Sequence, residues 1–90
     1  MLRAPVTVNN RLGLHARAAA QLVKLVSSFH SNVTLSHPDS GRAADARSIL
    51  SLLNLAPING TVLYVETNGE DEASTLEAVK VLFAQGFNEK

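Results

Sequence analysis

Two kinds of apolar spacing alternate along this chain, and their order restricts its architecture more than any other feature. In "APVTVNN", Val6 and Val8 alternate with polar neighbours before an Asn pair, the period of two that marks a half-buried strand running into a turn. From Ala16 to Ser28 the period lengthens. Ala19, Leu22, Val23 and Val26 recur at three-and-four spacing while Arg17, Gln21, Lys24 and Ser28 hold the opposite stripe, which predicts an amphipathic helix starting just after His15 and closing near His30. Strand spacing returns in "NVTLS", where Val33 and Leu35 point one way; "HPDSG" turns the chain and "RAAD" gives a short return strand. Ser48 precedes Ile49, Leu50, Leu52, Leu53 and Leu55, a run that Pro57 and Gly60 limit to about two helical turns. "GTVLYVET" sets Leu63 and Val65 against Tyr64 and Glu66. "NGEDEASTLEAVKVLFAQGF" then carries acids in a first helical turn and Gly86 as a stop. The order strand, helix, two strands, short helix, strand, long helix is that of a two-layer α+β domain with helices gathered on one face of four strands.

Ninety residues without a repeat or an interior linker make one domain, residues 1–90, with room for a single core. Formal net charge is zero and aromatic residues are 4%, so the basic footprint and the stacking platform of a nucleic-acid binder are both missing. Absence of cysteine excludes a disulfide framework, a thiolate nucleophile and cysteine-ligated metal. No charged-then-apolar leader and no long apolar run marks export or a membrane span, which makes the cytoplasm the expected compartment.

His15 stands where the first helix begins. The free amide hydrogens of Ala16, Arg17 and Ala18 point to its side of the helix, together with the positive end of the helix dipole, and such a place suits an anion. An imidazole is already mostly neutral at pH 7, so the chief benefit of the position is not activation of a nucleophile. It is the reception of a phosphoryl group by a neutral ring, with backbone donors and the Arg17 guanidinium ready to hold the new charge. By position alone, a plain helix cap beside a solvated arginine is the better reading. His30 and His37 show no metal-ligand spacing with His15, and no nucleophile elbow accompanies the serines, so neither a metal site nor a Ser-His-Asp hydrolase is expected.

"GLHARAAAQLVK", with "ARSILSLL" some thirty residues on and "NGEDEASTLEAVKVLF" at the end, resembles the histidine-containing phosphocarrier family HPr of the bacterial phosphoenolpyruvate-dependent phosphotransferase system. The likeness covers nearly the whole chain in the right order. It implies an open-faced β-sandwich of four antiparallel strands and three helices, and a monomeric carrier without cofactor. Such a carrier takes phosphate from enzyme I on Nδ1 of His15, with Arg17 as the phosphoryl partner, and hands it to enzyme IIA-type acceptors. Where many relatives have proline after the arginine, this chain has Ala18, which leaves the helix start less rigid and with one more amide donor. The longer "SHPDSGRA" turn and the "QGF" ending are similar to nitrogen-branch carriers and to HPr proteins of other proteobacteria.

Ser48 has the place of a helix N-cap. The resemblance adds that it is a regulatory phosphorylation site for an HPr kinase/phosphorylase. It also adds that Leu14, Arg17, Ala20, Lys24, Arg47, Ile49, Leu50 and Leu53 form a partner-docking patch, since a helix as short as the second cannot bury every apolar side chain. The alternatives are a regulatory paralogue, acting by partner binding and Ser48 phosphorylation, and an unrelated small binding domain. Retention of both His15 and Arg17 favours the carrier.

Overall fold

The computed structural model describes residues 1–55 and 57–88. Its elements are β1 (Leu2–Thr7), α1 (Ala16–Val26), β2 (Asn32–His37), β3 (Arg42–Asp45), α2 (Ile49–Leu55), β4 (Val62–Asn68) and α3 (Glu72–Ala84). All pairings are antiparallel, in the order β1-β4-β2-β3. The register explains why alternate residues agree on a face: Val6 lies opposite Leu63 and Leu35 opposite Val65, all four buried. Their neighbours Tyr64 and Glu66 face away from the helices, where Arg3 lies over the Tyr64 ring at 4.2 Å. Pro5 is tolerated because β1 is an edge strand.

Against the buried face pack Leu22 and Val26 of α1, Leu52 and Leu55 of α2, and Val79 and Phe83 of α3. Each such side chain contributes about 1.5 to 3 kcal/mol by leaving water.

The first helix is shorter than its spacing predicts: α1 ends at Val26, Ser27 caps it, and His30 lies in the following loop. The Ser28 hydroxyl donates to the Leu25 carbonyl at 2.7 Å, an alternative to continued helix. Long-range partners then hold the loop extended. The Asp71 carboxylate accepts from the backbone N–H groups of His30 and Ser31, both at 2.9 Å, and from the Ser31 hydroxyl. The Arg47 guanidinium donates to the carbonyls of Phe29 and Ser31 at 2.9 and 3.0 Å.

These bonds, first the His30 N–H and then the Ser31 hydroxyl, lower the Asp71 carboxyl from 3.8 to about 2. With the folded value below the unfolded one, this stabilisation is complete above about pH 4 and is lost as pH falls from there toward about 2. The thermal midpoint of the parent should therefore drop across that window. Asp71→Asn should be less stable at neutral pH and drop less steeply; parallel pH curves would contradict this role.

Gly86 ends α3 in the left-handed region at φ 59°, as predicted, but Phe87 and Asn88 also take positive φ, 55° and 61°. That turn carries Phe87 back into the core, edge-on to Phe83 with ring centroids 4.9 Å apart.

Candidate functional site

The loop before α1 is built around Gly13. The residue is at φ +70°, and a Cβ there would lie 2.5 Å from the Pro57 carbonyl oxygen, so only glycine lets the two loops touch. Leu14 N–H donates to that same oxygen at 3.1 Å. The segment leaving α2 is thereby fixed against the segment entering α1.

His15 is the N-cap of α1, extended at φ −90° and ψ −175°. Its carbonyl accepts from Ala19 N–H at 2.8 Å, the first turn of the helix, and its Nδ1 accepts from Arg17 N–H at 3.3 Å. A backbone amide can only donate. Nδ1 is thus the lone-pair nitrogen, the neutral ring carries its proton on Nε2, and the nucleophilic electron pair is aimed at the positive end of the helix. A group bonded to Nδ1 would sit against the amides that an anion needs.

Ala16 and Arg17 are exposed, whereas Ala18 shows no surface to solvent. Of the three residues expected to bind phosphate, Ala16 and Arg17 are therefore open to solvent and Ala18, which stands in place of proline, is covered. Arg17, Ala20 and Lys24 share one exposed stripe of α1, at the spacing of one helix face.

Other expected docking residues divide. Leu50 is 74% exposed and Ile49 is also open, while Leu53 is partly buried against the core. Ser48 caps α2 as expected, its Oγ accepting from Ser51 N–H at 3.2 Å. Leu14 is 3% exposed, so its side chain serves the core and not a partner. One amino group of the exposed Arg47 guanidinium donates to the carbonyls of Phe29 and Ser31, which ties the start of α2 to the loop after α1. Two residues escaped the sequence reading: Leu12 and Ile58, 68% and 73% exposed, on either side of the Gly13 contact. The available signal was a large apolar residue inside each turn, Leu12 before Gly13 and Ile58 between Pro57 and the Asn59-Gly60 pair.

Charge is segregated despite the neutral total. Residues 1–38 contain Arg3, Arg11, Arg17 and Lys24 without a carboxylate, Arg11 and Arg17 falling within four residues of His15, whereas Arg3 lies over Tyr64 on the open face of the sheet and Arg47 stands beside Asp45 at the start of α2. Glu70, Asp71 and Glu72 lie instead where Asp71 meets His30 and Ser31, beyond the far end of α1, about 16 Å of helix away. The His15 end is apolar and basic. Among the described residues no group of His, Cys, Asp and Glu could hold a metal ion, and no helix is long and apolar enough to cross a membrane.

This fold, with a histidine at the start of its first helix, matches a known family. The family described as the PTS HPr component phosphorylation site matches residues 2–85. A phosphocarrier protein HPr of Xylella fastidiosa (strain Temecula1) is 48% identical over 89 residues, covering 99% of this chain and 98% of that protein. A phosphocarrier protein NPr of Klebsiella oxytoca is 38% identical over 88 residues, covering 98% and 97%. A crystal structure of HPr from Thermoanaerobacter tengcongensis superposes with a TM-score of 0.93 over 100% of this chain and 99% of that one, at 29% identity. The chain belongs to the HPr family of phosphocarriers of the phosphotransferase system.

Proposed function

We propose that this protein accepts a phosphoryl group, originating in phosphoenolpyruvate and delivered by enzyme I, on Nδ1 of His15 and passes it to enzyme IIA-type acceptors. The Nδ1 lone pair attacks phosphorus while the bond to the donor breaks, and Nε2 keeps its proton. Arg17 N–H, which now donates to Nδ1, takes a phosphoryl oxygen instead, and the Arg17 guanidinium closes on the dianion. Transfer to the acceptor reverses the step. The observation that carries this reading is the orientation of Nδ1 toward the helix start beside Arg17. In this reading the chain acts as one monomeric cytoplasmic domain, residues 1–90, without metal or cofactor.

The test is incubation with enzyme I and labelled phosphoenolpyruvate. Label that is acid-labile and base-stable is expected; no label, or acid-stable label alone, would refute the reading.

A carrier must present one phosphohistidine to donor and acceptor in turn, so both meet the same surface. Its elements are the Arg17, Ala20 and Lys24 stripe, the exposed Ile49 and Leu50 with Leu53 at their edge, and the flanking Leu12 and Ile58. An apolar patch flanked by the Arg17 and Lys24 cations suits partners with an acidic rim, and encounters that are fast, weak and salt-sensitive.

Ser48 fits a regulatory phosphorylation site for a kinase of the HPr kinase/phosphorylase kind on the same surface. A phosphate there would keep a negative group at the start of α2 and would stand beside Leu50, where an apolar partner must strip its water. Ser48→Asp should slow phosphorylation by enzyme I and leave the thermal midpoint nearly unchanged. A Ser48→Asp rate equal to the parent's would end the charge-switch idea.

A further inference from the structure

We propose that Asn10 is a positioning residue for phosphoryl transfer, holding the loop that aims His15. The Asn pair after β1 does two jobs. Asn9 Nδ2 donates to the Ala84 carbonyl at 3.2 Å and ties the loop to the end of α3. Asn10 is buried, and its Nδ2 donates to the Gly13 carbonyl at 2.6 Å. Gly13 N–H returns a bond to the Asn10 carbonyl at 3.0 Å, so the turn is closed once by backbone and once by side chain.

The Gly13 carbonyl is the pivot. Besides Asn10 it accepts His15 N–H at 3.0 Å, while Leu14 N–H, on the other side of that peptide, is held by Pro57 at 3.1 Å. The Gly13–Leu14 peptide, one residue before His15, is thus set by Asn10 at its oxygen and by Pro57 at its nitrogen, and the His15 N–H is anchored to that same oxygen. The plane of that peptide fixes where the His15 backbone begins, and with it the direction of the ring whose Nδ1 meets Arg17 N–H. In-line attack needs that direction. Angular scatter at the nucleophile lowers the rate of the step more than the affinity, because the Asn10 side chain is buried and offers a partner no surface of its own.

This inference rests on the phosphocarrier reading, and the experiment separates the two. Asn10→Ala removes the amide; Asn10→Asp keeps the shape and Oδ1 but replaces the donor with an acceptor facing Gly13. Thr75→Val is the control for mere destabilisation, since Thr75 is buried at the opposite end of the molecule and bonds Asp71. In steady-state phosphorylation by enzyme I, kcat should fall about tenfold or more in both Asn10 variants with KM changed far less. The 15N shifts of the His15 ring should move toward tautomer-averaged values. Thr75→Val should lower the melting temperature and change neither readout. Parent kcat and parent ring shifts in the Asn10 variants would overturn the proposal, as would an equal kcat loss in Thr75→Val. Should neither Asn10 variant fold, the parent still decides: a scalar coupling across the bond from Asn10 Nδ2 to the Gly13 carbonyl is required, and its absence overturns the proposal. A parent that takes no label refutes the carrier reading, while the ring shifts still judge Asn10.

Discussion

His15→Ala should take no phosphate from enzyme I and pass none on, the largest effect the account expects. Among the described residues only one ring nitrogen has its lone pair at the start of an eleven-residue helix with an arginine two residues away, and alanine removes it. The substitution also deletes an N-cap, which costs about 0.5 to 2 kcal/mol of stability, so loss of transfer alone could be blamed on the fold. His15→Asn separates the two effects. Asparagine is a strong N-cap and offers no imidazole, so it should keep the parent's melting temperature and still take no label. Labelling of His15→Asn at the parent rate would move the acceptor elsewhere.

Arg17→Ala should be phosphorylated by enzyme I and then transfer poorly. The guanidinium supplies charge-assisted hydrogen bonds that grow as negative charge gathers on the phosphoryl oxygens, each worth about 1.5 to 3 kcal/mol, or roughly a tenfold to hundredfold fall in rate. Because Arg17 is exposed, salt should shrink the difference between parent and variant. Arg17→Lys should recover only part of the loss, since an ammonium keeps the charge without the planar fork. Single-turnover transfer to an acceptor, measured from phosphorylated protein, checks both statements. Full recovery in Arg17→Lys would reduce the role of Arg17 to bare charge.

Much of this was legible in the sequence, for a local reason. Val33, Leu35, Leu63 and Val65 fall on one face because a strand's period is two, and the four residues of "RAAD" are the whole of β3. Ser48 and His15 read as caps because capping is decided within three residues. What escaped was fixed across long separations. The end of α1 was overestimated because Phe29, His30 and Ser31 are held by Arg47 and Asp71, which no local pattern announces. Phe87 follows the Gly86 stop and enters the core only through three successive left-handed residues. The leucines around Gly13 were weighed the wrong way: its positive φ turns Leu14 inward and leaves Leu12 outside.

The central claim is that the phosphoryl group resides on Nδ1 of His15, against the first turn of α1. Its most direct test is NMR of 15N-labelled protein after phosphorylation by enzyme I, reading one-bond coupling between phosphorus and the ring nitrogens. The account predicts coupling to Nδ1 of His15, with the amides of Ala16 and Arg17 shifted more than any others. Coupling to Nε2, or to His30 or His37, would contradict it.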